Sequence, residues 1–433
     1  MRKALFYFTY NGIYNFTNGI GTQTQLLLRG LEHLQPRLTR QFGAFDVHVV
    51  CPLPDQHTWG YDAAFFQRQQ ERLAALQGQL HLLPYKSRPE VELWDVATWH
   101  HLSAQAARLI QQQRQAYDAC LLICVDQPWL HTPRYLPSAP PDTGGPVHTL
   151  LVLYSTAFIR NAAAPDKTEM LWERDGLAPA CLDPQVAIAD VCPSFTTHIR
   201  AFYALPTARF APYTSSILTA DAEFRLLDEA QVAQTLQGYD VPLDRDLIVA
   251  FGRATPLKGF ETLIPALEGV RERCHFVLIS VPYPGDPYQQ TYDRLLAASR
   301  LSATHVRSFT RDLPRALCQW SRTRMVVLPS RQETFSNIPL EVALWARRQG
   351  PVVVASAVGG FVDQIVHGHN GFLIDVARPE TITRIVQQVL SLAPEALAAM
   401  RQQAYARVVQ QHDFQQNFPT TLAWFWGESR LTA

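Results

Sequence analysis

Short runs of consecutive apolar residues alternate along most of the chain with longer stretches in which apolar residues recur with helical spacing. Runs of the first kind are typical of strands that are buried on both faces, whereas the second pattern is typical of amphipathic helices. Regular alternation of the two predicts an α/β protein with parallel sheets.

The apolar runs fall into two groups. The predicted strands of the first half are KALFYFTY, FDVHVVCP, LHLLPY, DACLLICV, HTLLVLYS and VAIADVCPS, and those of the second half are DLIVAFG, HFVLISV, THVRSF, RMVVLPS, PVVVAS and GFLIDV. Turn and polar residues interrupt the pattern near residue 216. We therefore predict two doubly wound, Rossmann-like domains facing across a cleft, residues 1–215 and 216–412, followed by an aromatic-rich helix at 413–433 that packs back on the first domain.

Composition narrows the class of protein. The 433 residues are 47% hydrophobic and 18% charged, with 38 basic and 38 acidic residues, and residues 1–212 contain equal numbers of the two signs. This balance argues against a nucleic-acid partner and against a basic membrane-docking face. We find no signal peptide and no stretch of the roughly 20 apolar residues that a membrane span needs. The seven scattered cysteines suit a reducing compartment, so we expect a cytoplasmic protein without integral membrane association.

Two cations follow the first strand of the second half. In LIVAFGRATPLKGFETL, Arg253 comes directly after Gly252, and Lys258 precedes Gly259 and a predicted helix. A forked guanidinium, a mobile ammonium and helix amides can together bind a diphosphate. The alternative is a pair of solvated surface cations.

Two carboxylates straddle a later junction between a strand and a helix. Glu333 lies in the predicted loop RQETF, and Glu341 lies about one turn into the helix SNIPLEVALW, which Ser336 or Asn337 can cap. Carboxylates accept hydrogen bonds from sugar hydroxyls, and the loop amides of Thr334–Ser336 suit a phosphate. The alternative is that both acids are ordinary surface charges without a ligand.

A pair of glycines, Gly359 and Gly360, follows the predicted strand PVVVAS. The pair either allows a ligand to approach the backbone closely or forms a plain tight turn.

These motifs, in this order, resemble the C-terminal half of the family-4 retaining glycosyltransferases of the GT-B fold, which include sucrose-phosphate-synthase-like enzymes. The matching positions are Gly252-Arg253, Lys258-Gly259, Glu333 with Glu341, Val358-Gly359-Gly360 and Asn370-Gly371-Phe372. The resemblance implies that a nucleotide-sugar site is formed by the second domain. Arg253 and Lys258 would hold the diphosphate, Glu333 the donor sugar and Glu341 the ribose. Donor contacts would also come from Gly252, Thr334, Phe335, Ser336 and Asn337.

The first half matches this family less closely. Relatives open with a Gly-Gly loop before a helix, whereas here Ile20 separates Gly19 from Gly21, and we expect the helix to follow at Thr22. Relatives also place a His near the end of a central strand, where this chain has Tyr154 and Ser155. Gly19 and Gly21 are predicted donor contacts. The predicted acceptor contacts are Gln23, Lys86, Arg88, Tyr154, Ser155 and Arg160.

The resemblance implies that a hexose is transferred with retention from a UDP- or GDP-sugar, UDP-glucose being the expected donor. The acceptor would be a small soluble molecule, a sugar or a sugar phosphate such as fructose 6-phosphate, whose phosphate Lys86, Arg88 and Arg160 could bind. Ordinary surface cations are the alternative. A nucleotide-sugar 2-epimerase and a catalytically silent binding protein remain open as other classes.

We expect neither a metal nor a cofactor. Asp244 and Asp246, in the motif DRD, precede a predicted strand instead of following one, which favours a solvated turn. His100-His101 and the pair His367 and His369 lack the spacing of a metal site.

Overall fold

The computed structural model describes residues 1–16, 19–55, 57–86, 92–136, 144–161, 164–283 and 285–427. The chain divides into two units. The first contains residues up to Leu218 together with the chain from Phe414 onward, and the second runs from Thr219 to Asp413.

The first unit is built on a parallel sheet of seven strands in the order β3-β2-β1-β4-β5-β6-β7. Its strands are β1 (Lys3–Phe8), β2 (Phe45–Pro52), β3 (Gln79–Leu83), β4 (Ala119–Val125), β5 (Val147–Val152), β6 (Val186–Asp190) and β7 (Phe210–Pro212). The central strands β1 and β4 are buried along their whole length, as expected for continuous apolar runs. β1 pairs with both β2 and β4, so the strand order reverses between β1 and β4.

Nine helices of the described chain belong to this unit. They are α1 (Gly19–Phe42), α2 (Ala63–Ala75), α3 (Val96–Gln113), α4 (Thr132–Tyr135), α5 (Ala157–Arg160), α6 (Lys167–Leu177), α7 (Pro179–Leu182), α8 (Pro193–Phe202) and, after the second unit, α17 (Phe414–Trp426). The last of these packs on α1 and β7. Its Trp426 ring lies 6.2 Å from Phe42 and 5.2 Å from Phe45, measured between ring centroids.

The second unit repeats the architecture with six parallel strands in the order β10-β9-β8-β11-β12-β13. These are β8 (Leu247–Arg253), β9 (His275–Val281), β10 (Ala303–Val306), β11 (Thr323–Leu328), β12 (Val352–Ser356) and β13 (Phe372–Ile374). The helices are α9 (Glu229–Gln237), α10 (Phe260–Ala266), α11 (Gln289–Ala298), α12 (Asp312–Gln319), α13 (Ile338–Trp345), α14 (Phe361–Gln364), α15 (Pro379–Leu390) and α16 (Pro394–Gln411). Ile248, Leu278 and Val327 are fully buried in its core.

The prediction of two doubly wound parallel-sheet units is thus confirmed. All six strands expected in the second half are present. In the first half, β7 lies within the segment that the sequence analysis assigned to turns. Because it has three residues and ends at Pro212, its length and composition do not mark it as a strand.

Candidate functional site

The central strands β8 and β11 of the second unit pair directly, so the loops that follow them meet at the carboxyl edge of the sheet. In doubly wound sheets this edge, where the strand order reverses, is where ligands bind. The loop after β8 contains the predicted cations, and the loop after β11 contains the first predicted carboxylate.

The loop after β8 is fixed at two points between its cations and at a third directly after Lys258. The buried Tyr292 donates a hydrogen bond of 2.9 Å from its hydroxyl to the carbonyl of Thr255, and the Arg331 amide donates to the carbonyl of Leu257 at 2.8 Å. Gly259 has a φ of +67°, and a Cβ there would lie 2.1 Å from the carbonyl oxygen of Pro329. Only glycine fits this position, both for its backbone conformation and for its contact with the neighbouring loop.

Lys258 forms an ion pair with Glu333. The ammonium Nζ lies 2.8 Å from Oε2 of the carboxylate, and the two side chains are 21% and 15% exposed. These two predicted catalytic residues, 75 positions apart in the chain, therefore lie side by side. The pair places one mobile cation and one carboxylate at the same point of the sheet edge, where both remain accessible.

Arg253 ends β8 and is partly buried. Its guanidinium lies 4.8 Å from the centre of the Tyr283 ring, in a cation–π arrangement. Burial lowers the pKa of Arg253 from its usual value, but an arginine remains charged at neutral pH. Gly252 precedes it in the strand, next to the aliphatic part of Lys258.

The glycine pair after β12 packs against protein backbone. A Cβ at Gly359 would lie 1.6 Å from the carbonyl oxygen of Glu333, and one at Gly360 would lie 2.5 Å from that of Thr334. The Gly360 amide also donates to the carbonyl of Thr334 at 3.0 Å. Both glycines thus lie close to the backbone of the Glu333 loop and support that loop.

The rest of this loop leads into α13. Thr334 and Ser336 are buried, and the Phe335 ring lies 5.5 Å from that of His412. Asn337 occupies the N-cap position without a capping hydrogen bond from its side chain, whereas the Ser336 hydroxyl accepts from the amide of Ile338 at 3.4 Å. Of the two predicted caps, the structure therefore favours Ser336.

Glu341 lies in the first turn of α13. Burial, with a smaller contribution from the negative charge of Glu223, raises its pKa to about 7, although the positive charge of Arg311 acts in the opposite direction. The segment of Glu223 is attached to the same helix, because Trp345 Nε1 donates to the Glu223 carbonyl at 3.2 Å and Arg347 donates to that of Phe224 at 2.8 Å. Glu341 is therefore a carboxyl poised near neutral pH.

In the first unit, α1 begins at Gly19 and not at Thr22, so the expectation of a glycine loop before this helix was wrong. Gly21 lies in the first turn, where a Cβ would meet Oδ1 of Asn11 at 2.3 Å. The glycine is required for packing against the chain that follows β1. Gln23 is buried and lines a small cavity with Tyr213 and Asn417, between α1 and α17.

Tyr154 and Ser155 follow β5 and are partly buried. The Tyr154 hydroxyl lies 3.5 Å from that of Tyr213, and its amide donates to Oδ1 of Asp126 at 2.8 Å. Asp126 directly follows β4, is 1% exposed and has a φ of +63°. Sequence reasoning missed this residue, since an Asp after a strand gives no sign of a backbone conformation that normally favours glycine.

The cations assigned to an acceptor phosphate are paired with acids. Lys86 Nζ lies 2.7 Å from Oδ2 of Asp55. Arg160 is bonded to Glu169 and lies 3.6 Å from the fully buried Glu173. Arg88 lies outside the described residues.

Several of the acids and histidines that the sequence analysis considered as metal ligands have other partners in the structure. Asp246 is at the amino end of β8, where its carboxylate is 3.6 Å from Arg322 and 3.9 Å from Arg324. His100 is bonded to Tyr135, and His367 accepts from the amide of Leu373. Within the described ranges, no three His, Cys, Asp or Glu side chains come together as a metal site.

One protein-family model matches most of the second unit. Residues 234–407 match the family model described as Glycosyl transferases group 1. This segment includes both predicted cations, both carboxylates and the glycine pair. Among the described helices, none is both long and apolar enough to cross a membrane.

Curated relatives match over part of their length. A D-inositol 3-phosphate glycosyltransferase from Jonesia denitrificans is 33% identical over 34% of this chain and 35% of its own. A GDP-mannose-dependent α-(1-6)-phosphatidylinositol monomannoside mannosyltransferase from Mycolicibacterium smegmatis is 29% identical over 36% of this chain and 41% of its own. The alignments thus cover less than half of either relative.

Solved structures match over nearly the whole chain. Sucrose-phosphate synthase from Thermosynechococcus elongatus gives a TM-score of 0.71 at 14% identity, covering 97% of this chain and 96% of its own. The Anabaena protein HepE in complex with UDP-glucose gives 0.63 at 16% identity, covering 99% and 100%. At such identities the likeness establishes the fold, which is of the GT-B type.

Proposed function

We propose that this protein is a glycosyltransferase that moves a hexose from a nucleotide diphosphate sugar to a soluble sugar acceptor, with retention of anomeric configuration. The main support is the ion pair between Lys258 and Glu333 at the carboxyl edge of the second sheet. A donor needs a cation at its diphosphate and an acceptor of hydrogen bonds at the adjoining sugar, and this pair offers both at one point.

Lys258 would exchange part of its contact with Glu333 for the phosphates of the donor. Arg253, at the end of β8, would add a second positive charge. Glu333 would then accept hydrogen bonds from hydroxyls of the hexose. Glu341, farther along in α13, would accept from the ribose hydroxyls. This assignment accounts for the diphosphate, the hexose and the ribose of the donor.

The reaction breaks the bond between the anomeric carbon and the phosphate oxygen, and the electron pair of that bond leaves with the diphosphate. The acceptor oxygen forms the new bond on the same face, and its proton passes to the departing phosphate oxygen. Arg253 and Lys258 would stabilise the negative charge that develops on the diphosphate, which is the largest charge change of the step. No separate protein base is needed in this scheme.

UDP-glucose is the proposed donor. The Anabaena neighbour was crystallised with UDP-glucose, whereas the Mycolicibacterium relative is named for GDP-mannose. We further propose that the transfer needs no divalent metal, because one arginine and one lysine, Arg253 and Lys258, are available to neutralise the leaving diphosphate. The predicted acceptor residues of the first unit, Gln23, Tyr154 and Ser155 among them, are proposed to contact the acceptor.

The test is release of UDP from UDP-glucose in the presence and absence of a panel of sugar acceptors. Acceptor-dependent release supports the proposal. Appearance of an isomerised donor without an acceptor would indicate an epimerase, and tight donor binding without turnover would indicate a silent binding protein. Lys258→Ala should abolish most of the release, and Lys167→Ala, which changes an exposed lysine of α6, serves as the matched control.

A further inference from the structure

The carboxyl edge of the first sheet presents an aromatic surface. Trp94 lies between β3 and α3 and is 38% exposed. Its ring is steeply inclined to that of Tyr10, which follows β1, with 5.5 Å between the ring centroids, and to that of Trp99, at 5.2 Å. The Arg160 guanidinium lies 5.3 Å from the centre of the same ring. A partly exposed indole is thus held in a defined orientation by three neighbours.

A buried acid lies behind this surface. The Tyr10 hydroxyl donates to Oδ2 of Asp126 at 3.5 Å, and the amide of Tyr154 donates to Oδ1. The left-handed backbone of Asp126 is unusual for a residue other than glycine and costs energy, which the surrounding contacts must offset. Asp126 therefore links Tyr10, which contacts Trp94, to the segment that follows β5.

Lys86 and Arg160, which the sequence analysis assigned to an acceptor phosphate, are both paired with acids. Lys86 is paired with Asp55, while Arg160 faces both Glu169 and Glu173. Glu173 is held in place by further hydrogen bonds from the amide of Ala157. Three acids, Asp55, Glu169 and Glu173, thus face two cations at this edge, whereas Lys258 of the donor site is paired with one acid, Glu333. A phosphate brought here would have to displace carboxylates from their partners and remain close to them, which like-charge repulsion opposes.

We propose that this edge binds an uncharged sugar as the acceptor, with a ring face on Trp94, and that it discriminates against phosphorylated sugars. The proposal deepens the function proposed above and rests on it. Sugar rings present C–H groups on their faces, which pack well against an indole, and hydroxyls at their rims, which suit the surrounding polar side chains. The site thereby selects by shape and stacking instead of by charge.

Matched pairs of acceptors test the class of substrate. Glucose is compared with glucose 6-phosphate, and fructose with fructose 6-phosphate, both by kcat/KM for acceptor-dependent UDP release and by saturation-transfer NMR with UDP present. We expect the neutral member of a pair to be preferred at least tenfold. Preference for the phosphorylated member overturns the proposal, as does binding of neither member by a protein that still binds UDP-glucose.

Substitution of the aromatic surface tests the site itself. Trp94→Ala should raise the KM for a neutral acceptor at least tenfold while leaving the affinity for UDP unchanged. Tyr405→Ala removes an aromatic side chain of similar exposure from α16 in the second unit and serves as the control. An unchanged acceptor KM in Trp94→Ala would overturn the assignment. If the wild-type protein does not bind UDP-glucose, the proposed function itself is contradicted. Failure of the acceptor site and failure of the proposed function therefore give different results.

Discussion

Glu341→Gln should stabilise the protein above neutral pH, although it removes a residue that we assign to the nucleotide. Burial raises the pKa of this carboxyl from 4.5 to about 7. The folded state therefore binds more protons than the unfolded state between these two values, and stability falls as pH rises through this window. Because a glutamine cannot ionise, the Glu341→Gln variant does not lose this stability as pH rises.

The size of this loss in the free energy of unfolding follows from the pKa shift of Glu341. Each pKa unit corresponds to about 1.4 kcal/mol, so the ionised carboxyl destabilises the fold by about 3 kcal/mol at pH 8 and by about 1 kcal/mol at pH 5. For a domain of this size, about 3 kcal/mol corresponds to roughly 6–12 °C in Tm. We expect Glu341→Gln to raise Tm by several degrees at pH 8 and by much less at pH 5.

Calorimetry or fluorescence melts of the wild type and the variant at both pH values provide the measurement, with nucleotide absent. Glu395→Gln, which changes an exposed acid at the start of α16, is the control and should show no such dependence on pH. A Tm difference that is the same at pH 5 and pH 8, or a variant that is less stable at pH 8, would refute the reasoning. A gain in stability with weaker UDP binding would identify Glu341 as a residue retained for function.

Three further predictions concern the donor site. Arg253→Ala and Lys258→Ala should each cost roughly 2–4 kcal/mol of transition-state stabilisation, seen as a fall in kcat/KM with the fold intact; activity within twofold of the wild type would contradict the assignment. Glu341→Ala should mainly weaken UDP binding in calorimetric titrations, whereas Glu333→Ala should mainly lower kcat, because the first contact is alike in ground and transition states and the second adjoins the reacting sugar. Equal UDP affinity for Glu341→Ala and the wild type would exclude the ribose role. Activity should survive EDTA, and complete loss that Mg²⁺ or Mn²⁺ restores would mean that the leaving group is neutralised by a metal.

The strands β8, β9, β11 and β12 of the second unit were predictable because they are largely buried on both faces and read as continuous apolar runs. The ion pair between Lys258 and Glu333 was not predictable from the sequence. It depends on β8 and β11 being neighbours in the sheet, and the 75 residues between the two side chains give no local sign of that adjacency. The support of the Glu333 loop by Gly359 has the same origin, since β11 also pairs with β12.

The first unit was less predictable at its carboxyl edge. Asp126 reveals its importance only through its backbone conformation and its burial, and neither is visible in the sequence. The charges of Lys86 and Arg160 are visible there, but the acids that pair with them come from other loops and helices. The cations in the sequence therefore indicated a phosphate site, whereas their pairing with acids led us to propose an uncharged acceptor.

The central claim is transfer of a hexose with retention. Its most direct measurement is the NMR spectrum of the product formed from UDP-α-glucose and a neutral sugar acceptor, in which the coupling of the anomeric proton reports the configuration of the new bond. The account predicts an α-linked product that Lys258→Ala fails to form. A β-linked product, or consumption of the donor without any glycosidic product, would contradict it.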